Sequence, residues 1–254
     1  MKLKNIAYFT VVLALVAVFG ISAWNVGSYF WDSHKARQDF EELSTAKKEA
    51  GQQLTTAPPE DSPATILAEY APFYEQNPHT AGWIRIEGTT IDYPVMHCPQ
   101  ERDYYLKRNF QGEYSDHGSI YIREECDMAT PSDNITVYGH NMLDGSMFAP
   151  LLDYREKTAW EDNPLIFFDT LTEYHTYKIF AVFKTPADGS GFPYYAMIDA
   201  ADQGEFDAFI AQAKALSFYD TGITPKYGDK ILCLSTCEYT LSDGRFVVAA
   251  CRIW

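Results

Sequence analysis

Three side chains that can do chemistry together stand at the ends of apolar, strand-like segments. The apolar run KILCLSTC ends at Cys237, and after a polar turn a second apolar run opens at Arg245. Far upstream, the segment NITVYGHN delivers His140 at the end of another predicted strand. A thiol, an imidazole and a guanidinium are the minimum set for acyl transfer through a thiolate.

Each of these residues has a defined chemical use and also a purely structural alternative. A free thiol is mostly protonated at neutral pH, so a nucleophilic Cys237 needs His140 as imidazolium partner or proton shuttle. Arg245 carries a permanent charge and a planar donor fork, which can stabilise an oxyanion or hold substrate carbonyls. Taken singly, a strand Cys is more often an inert core residue, a lone loop His is usually solvated, and an Arg after Asp-Gly is usually a turn residue.

Strand alternation predicts how the last two strands present their side chains. If they pair through the turn between them, Cys237 faces Arg245 across it. Cys233 then lies on the same face of its strand as Cys237, and Cys251 lies on the same face as Arg245. Cys233 and Cys251 would then approach each other inside a barrel, although two independent core thiols are the favoured interpretation.

The composition of the chain excludes several classes of function. A length of 254 residues with 46% hydrophobic content suits one globular domain with an appendage. The net charge of −15 argues against nucleic-acid binding, because such a surface repels phosphates, and otherwise indicates solubility. Five cysteines without a close CxxC pair indicate neither a disulfide framework nor a structural zinc site. The sequence implies no metal and no organic cofactor.

The N-terminus carries a segment that is long enough to cross a membrane. Residues 5–31 contain no charged side chain, and a helix needs about 20 apolar residues to span a bilayer. Trp24 and Trp31 are typical of the aromatic belt at a membrane surface. We interpret residues 1–4 as a cytoplasmic tail and residues 5–31 as an uncleaved, single-pass signal-anchor in the cell membrane, with the rest of the chain outside the cell. A cleaved signal peptide is the alternative.

A polar connection separates this segment from the folded domain. Residues 32–63 are predicted to form a juxtamembrane helix, with Phe40, Leu43 and Ala46 on a weakly apolar face, followed by the linker TTAPPEDSP. The folded domain is expected from residue 64 to residue 254.

Hydrophobic periodicity in this domain predicts many short strands and few helices. The predicted helices cover residues 64–75, 147–154 and 206–216, and the predicted strands cover residues 83–86, 91–95, 118–123, 134–138, 165–169, 174–183, 230–236 and 245–253. Such a pattern favours a mixed, mostly antiparallel β-barrel.

Taken in this order, the motifs resemble those of the sortases, membrane-anchored cysteine transpeptidases of Gram-positive bacteria. The strand end CLSTC at residues 233–237 matches the TLxTC motif, with Cys233 in place of the first Thr. His140 in VYGHNM and Arg245 in DGRFVV match the other two motifs. The stretch NPHTAGWIRIEGTTIDYPV at residues 77–95 is similar to the opening strands of class B members.

The resemblance covers most of the predicted domain and implies both a fold and a reaction. The fold would be mostly β, a sortase-type closed barrel of about eight strands with peripheral helices, joined to an N-terminal transmembrane helix. The Cys237 thiolate would attack the carbonyl of a Thr in a C-terminal sorting motif of a secreted surface protein. His140 would protonate the leaving peptide, and the thioester would pass to a peptidoglycan amine, with Arg245 stabilising the oxyanion or positioning the motif.

Some residue roles are left open by the sequence. Thr236 and Tyr138 are candidate substrate contacts, with strand-end hydrogen bonding and core packing as their respective alternatives. Asp169, Asp243 or Glu238 could orient His140 or Arg245.

Alternative activities use the same three residues. A cysteine peptidase would hydrolyse the same acyl-enzyme, and a pilus-polymerising sortase would use a protein Lys as the acceptor. L,D-transpeptidation is disfavoured because the SxGC-type signature is absent. A membrane-tethered binding module with an incidental Cys is the non-enzymatic alternative.

Overall fold

A long helix precedes a closed barrel in this protein. The computed structural model describes residues 2–52, 66–240 and 243–254, so the predicted linker at residues 55–63 lies outside the described residues. The helices are α1 (Lys2–Gln52), α2 (Ala71–Gln76), α3 (Lys157–Asp162) and α4 (Gln203–Leu216), with 3₁₀ helices at Tyr104–Lys107 and Ala149–Arg155. The strands are β1 (Thr80–Arg85), β2 (Asp92–Met96), β3 (Ile120–Ile122), β4 (Asn134–Tyr138), β5 (Leu165–Thr170), β6 (Thr176–Pro186), β7 (Ile231–Glu238) and β8 (Gly244–Arg252).

The eight strands of the described residues close on themselves. Their order around the barrel is β1-β2-β3-β4-β7-β8-β6-β5, and the pairing of β5 with β1 completes the ring. β2 with β3 and β4 with β7 are parallel, whereas the other pairs are antiparallel. Closure leaves no unpaired sheet edge. The predicted closed, mostly antiparallel barrel is therefore confirmed.

Alternation along β8 separates two apolar layers. Val248 and Ala250 belong to the cluster that fills the barrel, whereas Val247 and Ala249 belong to a second cluster beneath α4. The four buried residues of α4 in that second cluster are Phe206, Phe209, Ile210 and Ala213.

Cys233 and Cys251 are two independent buried thiols, as the favoured interpretation predicted, whereas the alternative that they approach each other inside the barrel places them on the wrong face of the sheet. Both are unpaired thiols in the cluster beneath α4, on the outer face of the sheet. Strand parity correctly predicted that Cys233 shares a face with Cys237 and that Cys251 shares a face with Arg245. Parity alone does not say whether that face lies inside or outside the barrel. Which face points inward is decided by the packing of α4, which the parity does not contain.

The first helix of the domain begins later than its apolar spacing predicts. Helical spacing suggests residues 64–75, but α2 starts at Ala71, next to a Pro in its first turn. The backbone N–H of Leu67 donates to the Leu171 carbonyl instead, and the Tyr70 hydroxyl donates to Asp169 at 2.6 Å. These tertiary bonds fix the preceding residues in a turn, and Pro is well suited to the first helical position.

Helix α1 runs without a break from the apolar N-terminal segment into the polar one. By length and composition it can cross a membrane, with an unburied window of mean hydropathy 2.1. Its second half packs on the barrel through Phe40 and Leu43, both buried. Ala46, predicted to share that face, is exposed, because two successive steps of three residues drift off one side of a helix with 3.6 residues per turn. Lys47 takes that place, with Nζ 4.8 Å from the centre of the Trp83 ring.

Candidate active site

The hairpin of β7 and β8 sets two of the predicted site residues opposite each other. Cys237 pairs directly with Arg245 in the antiparallel register, as strand parity predicted. Both side chains are partly exposed, at the end of the hairpin and on the outer face of the barrel. A thiol and a guanidinium on directly opposed residues lie within reach of one small group.

The parallel pairing of β4 with β7 brings in His140. Tyr138 pairs with Ser235, and the N–H of Gly139 donates to the Ser235 carbonyl at 3.1 Å. Two parallel strands in this register end side by side, so His140 leaves β4 where Cys237 lies on β7. The Asn141 side-chain amide donates to the Cys237 carbonyl at 3.1 Å and ties the two strand ends together.

Gly139 is required by the space around it. A Cβ at this position would lie 2.5 Å from Ile120 Cδ1 and 2.7 Å from the Phe148 ring. Such distances are well inside van der Waals contact, so any other residue would require the side chains of Ile120 and Phe148 to move.

His140 is oriented by a backbone carbonyl. Its Nε2 lies 2.7 Å from the Leu106 carbonyl oxygen, which can only accept, so Nε2 carries the proton and donates. Of the three carboxylates proposed as orienting groups, Asp169 accepts from the Tyr70 hydroxyl and Glu238 pairs with Arg155 at 2.9 Å. Within the described ranges, the imidazole contacts neither of these two carboxylates.

Asp243 is the carboxylate that contacts Arg245. Nη1 of Arg245 donates to Asp243 Oδ1 at 3.0 Å and to the Gly244 carbonyl at 3.1 Å. Burial lowers the pKa of Arg245, but the negative charges of Cys237 and Asp243 outweigh it and raise the pKa overall. The guanidinium is thus held as a fixed cation next to the thiol.

These residues line one groove of about 500 Å³. Its other lining residues include Arg102, Asp103, Leu106, Tyr121, Arg123, Glu124, Tyr138, Ala187, Tyr194, Tyr195, Ser235, Thr236 and Asp243. A groove of this volume, walled by tyrosines and carrying charges of both signs, can accept a peptide with both apolar and polar contacts.

The two candidate substrate contacts differ in their settings. Tyr138 borders the groove, its hydroxyl accepts from Arg123 at 3.4 Å, and burial raises its pKa to about 12 although Arg123 opposes the shift. Thr236 also borders the groove but is buried. Its side chain alternates to the face opposite that of Cys237, and its hydroxyl makes no hydrogen bond within the described part of the chain.

The sequence did not reveal several residues of the groove wall. Arg123 lies 4.8 Å from the centre of the Tyr195 ring, and the Tyr194 hydroxyl lies 2.7 Å from Ser235 Oγ. The two tyrosines are in the connection between β6 and α4, where no periodicity marks them. Asn141 was detectable in principle, since it follows His140 directly.

No metal centre accompanies these side chains in the described ranges. Across residues 2–52, 66–240 and 243–254, no group of three or more His, Cys, Asp or Glu side chains could hold a metal ion.

Comparison with known proteins identifies similar sequences along almost the whole chain. A family model described as Sortase domain matches residues 84–253. Sortase B of Listeria monocytogenes is 30% identical over 251 residues, covering 98% of this chain and 97% of that protein. Sortase B of Staphylococcus aureus is 25% identical over 253 residues, covering 98% of each.

Solved structures share the same fold. A Bacillus anthracis protein described as similar to sortase B superposes with a TM-score of 0.76 at 28% identity, covering 86% of this chain and 96% of that one. A Staphylococcus aureus sortase B-substrate complex superposes with a TM-score of 0.77 at 24% identity, covering 87% and 98%.

Proposed function

The chain belongs to the sortase family of cysteine transpeptidases, and we propose that it joins secreted surface proteins to a cell-wall amine. The observation that carries this proposal is the direct opposition of Cys237 and Arg245, with His140 at the neighbouring strand end. The donor would be a protein with a C-terminal sorting motif, cut after a Thr. The acceptor would be an amine of a peptidoglycan precursor.

In the first half of the reaction, Cys237 is acylated. Its thiolate sulfur attacks the Thr carbonyl carbon, and the resulting oxyanion is stabilised by the Arg245 guanidinium across the hairpin. The C–N bond then breaks, His140 gives a proton to the leaving amine, and the acyl group remains as a thioester on Cys237.

In the second half, the acyl group leaves the enzyme. The acceptor amine attacks the thioester carbonyl and loses a proton to His140. The C–S bond breaks, an amide forms, and the Cys237 thiolate and the His140 imidazolium are restored for the next cycle.

The groove supports a peptide as the donor. Aromatic walls such as Tyr138 and Tyr195 offer flat apolar contact. The Thr236 side chain is buried and faces away from Cys237, so it offers a bound peptide little contact. The substrate complex of Staphylococcus aureus sortase B concerns a related protein, and we extend its implication of a bound substrate to this groove.

The long helix supports a location at the cell membrane. We propose that residues 1–4 lie in the cytoplasm, residues 5–31 cross the membrane once, residues 32–63 connect, and residues 64–254 form the extracellular catalytic domain. A span that continues directly into a helix packed on the barrel would keep the enzyme at the surface where its acceptor is made.

Product analysis tests the proposal. The full chain in detergent is incubated with a sorting-motif peptide and an amine, and the products are identified by mass. We expect the peptide joined to the amine, and no product with Cys237→Ala. Cys233→Ala serves as the matched control, because it removes a thiol from the same strand beneath α4, and should retain activity. Free acid as the sole product would indicate a hydrolytic peptidase instead.

A further inference from the structure

The barrel-facing side of α1 follows a regular repeat that begins inside its apolar segment. Successive positions with reduced exposure lie four and three residues apart, the spacing that keeps one stripe of a helix against a partner. They are Tyr29, Ser33, Ala36, Phe40, Leu43 and Lys47. The helix that holds the candidate membrane span is therefore fixed to the barrel rather than tethered to it.

The direction of α1 along the barrel is defined by contacts at two levels. Arg37 Nη2 lies 3.8 Å from Asp144 Oδ2, on the loop that follows His140. Fourteen residues later, a Cβ on Gly51 would lie 3.0 Å from Glu69 Oε2. This interval corresponds to about 21 Å of helix.

The contacts of Arg37 and Gly51 lie at opposite ends of the barrel. Arg245 pairs with Thr185 at one end of β6, and Arg252 pairs with Tyr177 at the other. The segment that holds Glu69 is bonded near the second end, through the Leu67 N–H and the Leu171 carbonyl. The end that carries Cys237 and Arg245, here called the Cys237 end, is consequently the one nearer the apolar segment of α1.

Tyr239 lies on a loop at the Cys237 end. It follows Cys237 by two residues, and its hydroxyl donates to the Asn141 carbonyl at 3.3 Å. Asn141 directly follows His140, on the loop whose Asp144 faces Arg37 of α1. The loops that carry Tyr239 and Asp144 therefore lie together at the end of the barrel nearer the apolar segment.

Large apolar side chains project into solvent on this side of the molecule. Leu143, on the loop after His140, is 91% exposed, and Tyr239 is 72% exposed. Phe30 and Trp31, at the last turn of the uncharged segment, are exposed as well. Leucines and aromatic rings at this position suit the boundary between lipid tails and headgroups, where aromatic side chains are enriched.

We propose that Leu143 and Tyr239 insert into the interfacial layer of the bilayer that α1 crosses, so that the Cys237 end of the barrel rests on the membrane surface. Lipid is the occupant because these loops lie at the end of the barrel nearer the span, and a helix packed on the barrel fixes their distance from the bilayer that it crosses. The proposal goes beyond the proposed reaction, because it concerns where the groove is held and not what the groove does.

The depth of a nitroxide in the bilayer tests this arrangement. Full-length protein with Cys237→Ala and Leu143→Cys is labelled and reconstituted in nanodiscs, and collisions with oxygen and with a water-soluble nickel chelate are compared. Glu173→Cys, a highly exposed position at the opposite end, is the matched control. We expect the Leu143 label to collide several-fold more with oxygen relative to nickel than the Glu173 label does.

Two further sets of variants separate insertion from other causes. A label at Tyr239→Cys should report the same depth as the label at Leu143→Cys. Two independent positions keep the test valid if one of the labelled proteins folds poorly. Combining Phe40→Asp with Leu43→Asp should undock α1 and return the Leu143 label to water, whereas Ala46→Asp, on the exposed side, should not. Equal nickel accessibility at Leu143, Tyr239 and Glu173 would overturn the proposal.

Discussion

At the scale of single residues, the cysteines of this protein differ sharply in environment. Cys237 is partly exposed in the groove, whereas the other four are buried. Burial raises the pKa of Cys126 to about 11 and also raises the pKa of Cys233 and of Cys251. Because the thiolate is the nucleophile, buried thiols of this kind stay protonated and inert.

Alkylation should therefore be selective for one thiol. Brief treatment of the native full chain with iodoacetamide near pH 8 is expected to modify Cys237 and leave the buried cysteines intact, as measured by intact mass and peptide mapping. Unfolding in denaturant should expose all five, which provides the control. Modification of Cys233 or Cys251 in the native protein at a similar rate would contradict the burial described for them.

Arg245 should depend on the shape of its side chain as well as on its charge. Arg245→Lys keeps a cation but loses the planar fork that lies opposite Cys237 and bonds Asp243. Loss of one oxyanion donor typically costs about 10²–10³ in kcat, so we expect a decrease of this order for peptide transfer with KM changed less. Arg252→Lys, at the other end of the same strand, should leave kcat within a few-fold of wild type. A fully active Arg245→Lys enzyme would exclude a fork-dependent role.

At the scale of the elements, the loop after His140 is stabilised by a partly buried acidic turn. Asp144 accepts from the N–H and the hydroxyl of Ser146 at 3.0 and 2.6 Å and faces Arg37 of α1. Burial raises the pKa of Asp144, but the Ser146 hydrogen bonds and the charge of His117 outweigh it and lower the pKa overall. The charged carboxylate thus holds both the loop and the helix.

The stability that Asp144 provides should depend on pH. Because its pKa is lower in the folded than in the unfolded state, the contribution is complete above the unfolded value of about 3.9 and is lost as pH falls through the folded value. We expect Asp144→Asn to cost about 1–2 kcal/mol at pH 7, measured by thermal unfolding in detergent. The difference from wild type should shrink below about pH 4. A difference that is constant from pH 7 to pH 3 would show that the charge is irrelevant.

Strand positions were more predictable from the sequence than the contacts between elements. Alternation in the last two strands correctly placed Cys237 opposite Arg245, because a period of two residues survives any tertiary arrangement. The burial side of Cys233 and the exposure of Ala46 depend on how helices pack, and no local pattern records that packing. The wall formed by Tyr195 and Arg123 lies on loops, whose course is fixed by distant contacts.

At the scale of the whole molecule, one continuous helix joins a candidate membrane span to a barrel with a groove at its end. The groove brings together Cys237 and Arg245 from one hairpin and His140 from a strand end about a hundred residues upstream. Membership of the sortase family of cysteine transpeptidases supports the proposed reaction, a thioester relay from peptide to amine. The central claim is that the relay passes through Cys237.

Trapping the acyl-enzyme tests that claim most directly. The full chain is mixed with a sorting-motif peptide without an acceptor amine, quenched in acid and analysed by intact mass and peptide mapping. We predict an adduct whose mass equals the peptide up to its Thr, located on Cys237, released by hydroxylamine and absent from Cys237→Ala. Peptide cleavage that persists undiminished in Cys237→Ala, or an adduct on a different residue, would contradict the account.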